Sequence, residues 1–113
     1  MSAYLFATLC VIALAIGQIL FKASANTLAE TGSFLSSKVA IPLLAALLLY
    51  AAATIAWVWV LQRIELGRAY PLMALAFVLV PLGSHFAFGE QYPTQYYFGV
   101  AIIIAGILLT IKA

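Results

Sequence analysis

Gln18 and Lys22 lie four residues apart inside a long apolar run that opens the chain. On a helix that spacing stacks them on one face, with Leu14 one turn deeper. An amide and an ammonium together at a membrane edge suit an anionic headgroup such as a phosphate. Gly17 beside them leaves room for another backbone or a bulky ligand. A plainer reading stands next to this one: Lys22 only snorkels to the interface, and Gln18 bonds to a neighbouring helix.

Further along, Ser84, His85 and Glu90 close the third apolar run, on the same membrane side as Gln18 and Lys22. A polar cluster built from two helices is expected there. His85 fits it either as an interfacial hydrogen-bonded imidazole or as a proton carrier. Arg63, Glu65 and Arg68 crowd the opposite loop, where cations at a helix end attract acidic lipid or a phosphate headgroup, or simply set orientation. No apolar run contains a carboxylate, whereas proton-coupled pumps usually bury one.

Other chemistries find little support. Cys10 is the only cysteine and sits within the first apolar run, so neither a disulfide nor a metal-ligand spacing arises, and it reads as a small core hydrophobe. No catalytic constellation, metal site or cofactor is expected. The five cations are scattered singly, which excludes the basic stripe of a nucleic-acid binder.

These residues have to be positioned by elements that live in lipid. Of 113 residues 67% are hydrophobic and 7% charged, and the mean hydropathy is +1.20. A soluble domain of this size cannot hide so much apolar surface. A span needs about 20 mostly apolar residues to cross about 30 Å of hydrocarbon. Four stretches qualify, at 3–21, 39–61, 69–88 and 96–111, so the expected fold is an all-α integral membrane bundle of four transmembrane helices in a single domain over 1–113.

The segment from Lys22 to Lys38 then reads as a connection, with Glu30-Thr31-Gly32-Ser33 as its turn. The two shorter connections, 62–68 and 89–95, suit antiparallel neighbours in a compact up-down arrangement. Arg63, Arg68 and Lys112 share one side with both termini, against Lys22 and Lys38 on the other, which favours cytoplasmic termini. Tyr4, Trp57, Trp59 and Tyr70 on that side, and Tyr92, Tyr96 and Tyr97 on the other, read as interfacial belts. The first run, although followed by Ala23-Ser24-Ala25, has no basic residue before Lys22 and is too long for a signal peptide.

Pro71 and Pro81 fall in the third span. The first suits an opening turn, and the second is the better hinge. In the last span Gly99 and Gly106 are seven apart and Ala101 and Ala105 four apart, small-residue faces that let helices approach closely, expected as a dimer seam. Four short helices leave no central pathway, and small transporters pair repeats around a midplane site, so a dimer is the expected working unit.

Gly17-Gln18-Ile19-Leu20-Phe21-Lys22, Gly67-Arg68-Ala69-Tyr70-Pro71-Leu72-Met73, Gly89-Glu90 and the Gly99 to Gly106 stretch together resemble the small multidrug resistance superfamily of drug/metabolite transporters, along essentially the whole chain. Within it the chain looks most like the ArnE/ArnF-type flippase subunits. The resemblance implies translocation of an undecaprenyl-phosphate-linked sugar across a bacterial inner membrane. It implies as partners that glycolipid, membrane lipids and a second subunit, identical or related. Drug exporters of the superfamily carry a first-helix glutamate where this chain has Leu14, which argues against proton-coupled drug export.

The resemblance implies that Gln18, Lys22, Tyr70 and Glu90 belong to the shared pattern. By their chemistry, Lys22 is expected to contact phosphate, Gln18 and Tyr70 to bond sugar or phosphate oxygens, and Glu90 to pair with an amino sugar or with Lys22. The alternatives are an exporter of cationic compounds, with His85 or Glu90 coupling protons, and a non-transporting subunit of a larger membrane complex.

Overall fold

The computed structural model describes residues 2–112. Among these, four helices are long and apolar enough to cross a membrane: Ser2–Thr31, Ser37–Leu61, Leu66–Phe88 and Thr94–Lys112. We label them by regular segments: α1 (Ser2–Thr31), α2 (Ser37–Leu61), α3 (Leu66–Ala69), a 3₁₀ segment (Tyr70–Leu75), α4 (Ala76–Phe88) and α5 (Thr94–Lys112). Helices suit this solvent because each satisfies its own backbone hydrogen bonds where no water can.

The first helix runs further than the hydropathy suggests. Residues 22–31, read above as connection, continue α1. No Gly or Pro interrupts Lys22 to Thr31, and Ala, Leu and Glu favour helix. The stop comes at Gly32, whose φ of 72° only glycine adopts freely and whose N–H reaches Leu28 O at 2.7 Å. At 1.5 Å per residue α1 is about 45 Å long, more than the hydrocarbon needs. Lys22 is therefore set within a continuous helix rather than at its end.

α1 and α2 form the tightest pair. Val39, Ala46, Ala53 and Val60 are the buried residues of α2, seven apart each time. Their counterparts on α1 include Ala3, Ala7, Cys10, Gly17 and Ser24, separated by steps of three, four or seven. That is the seam of an antiparallel supercoil, and its small side chains bring the backbones close. Ser24 Oγ donates to Val39 O at 3.0 Å across it, which satisfies a buried hydroxyl. A second cluster near the terminal side joins Ala3, Ala7 and Val11 to Val60, Ile64, Ala69 and Leu72.

The third span is the irregular one. Pro71 opens the 3₁₀ segment, while Pro81 lies inside the unbroken α4. The departure from α geometry thus falls at Pro71 and not at the hinge expected at Pro81, because the proline ring and its missing N–H remove a bond just where α3 would continue.

α5 packs against the 3₁₀ segment and α4 alone among elements with substantial contact, and Ile107 is its one buried residue. The four helices consequently form a flattened bundle, 48 × 36 × 16 Å, rather than a compact one. Its radius of gyration is 15.9 Å, against about 13 Å for a compact globule of this length. Large apolar side chains such as Leu48, Ile55, Ile102 and Leu109 point outward, as lipid-facing residues do.

Candidate functional site

The polar side chains of α1 find partners on α2 and on the turn between α4 and α5. At the end of α4, Gly89 takes φ 70° and its N–H bonds to His85 O at 2.9 Å, which turns the chain back over the helix end. That turn lays Glu90 across the last turn of α4. His85 Nδ1 sits 2.7 Å from the Glu90 carbonyl oxygen, so the acceptor places the ring proton on Nδ1. His85 is thereby a hydrogen-bonded imidazole that secures the turn.

The Glu90 carboxylate is held from both sides. Ser84 Oγ, buried, donates to Oε1, and Tyr92 OH donates to the same oxygen at 3.1 Å. Oε2 faces Lys22 Nζ at 3.8 Å, an ion pair that ties α1 to the α4–α5 turn. The Ser84 hydroxyl, then that of Tyr92, hold the Glu90 carboxyl below the usual carboxylate range; partial desolvation opposes them, and Lys22 adds a smaller pull in their direction. Glu90 is accordingly ionised at neutral pH.

One turn deeper, Gln18 Nε2 donates to Tyr50 OH of α2 at 2.5 Å. The Tyr50 ring packs against Phe21, centroids 5.3 Å apart, and lies over Gly17. A Cβ on Gly17 would stand 2.7 Å from Tyr50 Cε2. The room left by Gly17, read above as space for a backbone or a ligand, is thus filled by the chain's own tyrosine. Tyr50 escaped the sequence reading, although a tyrosine in the middle of a span needs a partner for its hydroxyl.

These groups border open apolar clefts. Gln18 lines one of about 340 Å³ with Phe77, Val80, Pro81 and Tyr96. Phe77 and Tyr96 also line a neighbouring groove of about 470 Å³ that runs along Gly99, Val100 and Ile103. Tyr96 stacks on Tyr92 with centroids 4.7 Å apart, and Tyr97 packs edge-on to both rings. The tyrosines read as an interfacial belt therefore join the Glu90 network to the apolar grooves.

Arg63, Arg68 and Tyr70 stand elsewhere. Arg63 lies over the Trp59 ring, 3.9 Å from its centroid, and reaches Trp59 O at 3.4 Å. Arg68 and Tyr70 are exposed at the start of the third span. From Tyr70 to Glu90 the 3₁₀ and α rises add up to about 30 Å. Within one chain Tyr70 thus cannot share a ligand oxygen with Gln18, since the whole span separates them. Gly99, Ala101, Ala105 and Gly106 are all exposed on α5, and a Cβ built on either glycine meets nothing within 4 Å.

Comparison with known proteins finds proteins named probable 4-amino-4-deoxy-L-arabinose-phosphoundecaprenol flippase subunit ArnE. The chain is 49% identical over 53 residues to that of Pseudomonas fluorescens, covering 47% of this chain and 46% of the relative. It is 43% identical over 67 residues to that of Pectobacterium atrosepticum, 59% of each. With that of Salmonella enteritidis the identity is 44% over 64 residues, 57% of this chain and 58% of the relative. The match thus spans about half the length of these curated relatives. No protein-family model matches the chain, and no solved structure matches it.

Proposed function

We propose that this chain is a subunit of a lipid flippase of the bacterial inner membrane, moving a polyprenyl-phosphate-linked sugar between leaflets. The observation that carries the reading is a polar ladder on α1, Gln18 with Tyr50 and Lys22 with Glu90, whose Gln18 rung opens onto an apolar groove. A phosphate suits Lys22, sugar hydroxyls suit the Gln18 amide, and the prenyl tail stays in lipid along the groove of Phe77, Tyr96 and Gly99. The names of the curated relatives support the same substrate class.

Arg63, Arg68 and Tyr70 lie at the other membrane face, where a headgroup arrives after crossing. The exposed small-residue face of α5 receives a second subunit, identical or related, which completes the pathway that one flat bundle does not enclose. No carboxylate stands where a cation exporter would need one on the first helix, since Leu14 occupies that turn.

Reconstituted vesicles loaded with lipid-linked sugar test the reading. Lys22→Ala is expected to lower translocation at least tenfold, the loss of a charge-assisted contact. Gln18→Ala should lower it less, because an amide contributes a neutral hydrogen bond. Unchanged translocation in the double variant would overturn the proposed site.

A further inference from the structure

We propose that the cleft between α4 and α5, just inside the Gly89 turn, is a binding site for a lipophilic phenol: one aromatic ring seats among the tyrosines, and its hydroxyl donates to His85 Nε2. Neither Gln18 nor Lys22 lines this cleft, so it is a site apart from the α1 ladder.

The cleft follows from how α5 is placed. That helix packs more closely on the 3₁₀ segment than on α4, and a gap is left beside the turn that joins the two helices. Val78 and Leu82 of α4 line it together with Tyr96, Tyr97 and Val100 of α5, around a space of about 110 Å³, and His85 completes the wall.

The hydroxyl is selected by the one polar ring in that wall. His85 gives its Nδ1 proton to the Glu90 carbonyl oxygen at 2.7 Å, which leaves Nε2 of the neutral imidazole as an acceptor. No donor among the described residues reaches Nε2, and no buried side-chain nitrogen or oxygen among them goes unpartnered, so this lone pair is accessible. An acceptor in apolar surroundings favours a ligand that brings its own donor. No lysine, arginine or carboxylate lines the cleft, so a charged donor would lose its hydration without compensation, whereas a neutral O–H loses little.

The ring is selected by shape. Tyr92 and Tyr96 stack 4.7 Å apart, and Tyr97 stands at 76° and 89° to them, so the three form a corner that offers both a face and an edge. An aromatic guest meets them in the offset and edge-on geometries that rings prefer. The space is of the order of the apolar cavity of roughly 150 Å³ that holds benzene, so a single ring fits and a fused system does not.

The test titrates the full chain in mild detergent with para-fluorophenol and with para-fluoroanisole, which keeps the ring and lacks the O–H, and reads binding by fluorine resonance. The phenol is expected to bind about two- to tenfold more tightly, the range of one neutral hydrogen bond. His85→Asn keeps an N–H donor for the Glu90 carbonyl but has no outer ring nitrogen, so it should bring the two affinities together by weakening the phenol alone. Val78→Phe should fill the cleft and weaken both probes; Val100→Phe fills it from the opposite helix should the first variant not fold. Equal affinities in the native chain, or a preference for the phenol that survives His85→Asn, would overturn the hydroxyl contact. Absence of binding, or binding that the cleft-filling variants leave unchanged, would overturn the site. Competition identifies the source of the ring. Displacement of the phenol by a decyl-tailed benzoquinol, and not by the matching benzoquinone, identifies the head of a membrane quinol. Displacement by neither identifies a small free phenol. Equal displacement by the quinone, which has no hydroxyl to donate, would overturn the assignment.

Discussion

Small residues serve opposite purposes in the α1–α2 hairpin and in α5. In the hairpin Gly17 admits the Tyr50 ring, and Ala46 and Ala53 sit fully or nearly fully covered on the seam. In α5, Gly99 and Gly106 face open space and the neighbouring alanines are bare. The same residue class therefore closes one half of the molecule and leaves the other half uncovered. Glycine content alone does not distinguish the two cases; what stands opposite each glycine does.

The sharpest break of this contrast is Gly17→Ala against Gly99→Leu. A Cβ at position 17 strikes the Tyr50 ring, which has no flexible end to give way, so a cost of about 1–3 kcal/mol is expected. Thermal unfolding in detergent reads that loss, and the Gln18–Tyr50 bond goes with it. Gly99→Leu and Gly106→Leu should stay within about 0.5 kcal/mol of the native chain, because nothing inside it is touched. Their effect is expected in association, as a lower yield of cross-linked dimer. Equal destabilisation at positions 17 and 99 would remove the contrast.

A subtler comparison sets the Glu90 network against the Arg63 end. Glu90 is ionised in the fold at a lower pH than in the unfolded chain, so its contribution is complete above the ordinary carboxylate value of 4.5 and is lost as pH falls through the lower, folded value. Ser84→Ala combined with Tyr92→Phe removes the two hydroxyls that depress it. That variant should move the loss to higher pH, toward 4.5, in a carbon-13 titration of the carboxyl. An unmoved titration would mean the hydroxyls do not hold the carboxylate.

The smallest effect belongs to Arg63→Gln. It removes an exposed cation–π contact with Trp59, expected to matter by about 0.5–1 kcal/mol. Lipid binding at Lys22 should be unaffected, since the two ends are a membrane thickness apart. A loss of binding at Lys22 would show that the ends are coupled.

The spans were legible because lipid imposes its requirement residue by residue: about 20 apolar positions in a row, with polar ones pushed to the edges. The pairing of Gln18 and Lys22 on one face was legible too, since four residues make about one helical turn. The length of α1 was not, because hydropathy marks where lipid ends and not where the helix does; Gly32 sets that limit by its backbone.

Partner choice was legible only in part: Lys22 was among the expected partners of Glu90, whereas Tyr50 as the partner of Gln18 was not. Tyr50 is 32 residues from Gln18, and Glu90 is held by Ser84, Tyr92 and Lys22 from three different elements. Which helices sit side by side, and at what register, decides such contacts. Composition and spacing by themselves determined that this chain belongs in a bilayer as four helices, and that its few polar residues gather toward the two faces. Only the tertiary structure decided that Gly17 is spent on a tyrosine, that this tyrosine's hydroxyl takes the Gln18 amide, and that α5 keeps its small residues bare. The physical reason is that helix propensity and lipid solvation act locally along the chain, whereas a hydrogen bond or a packed seam exists only when two distant segments meet.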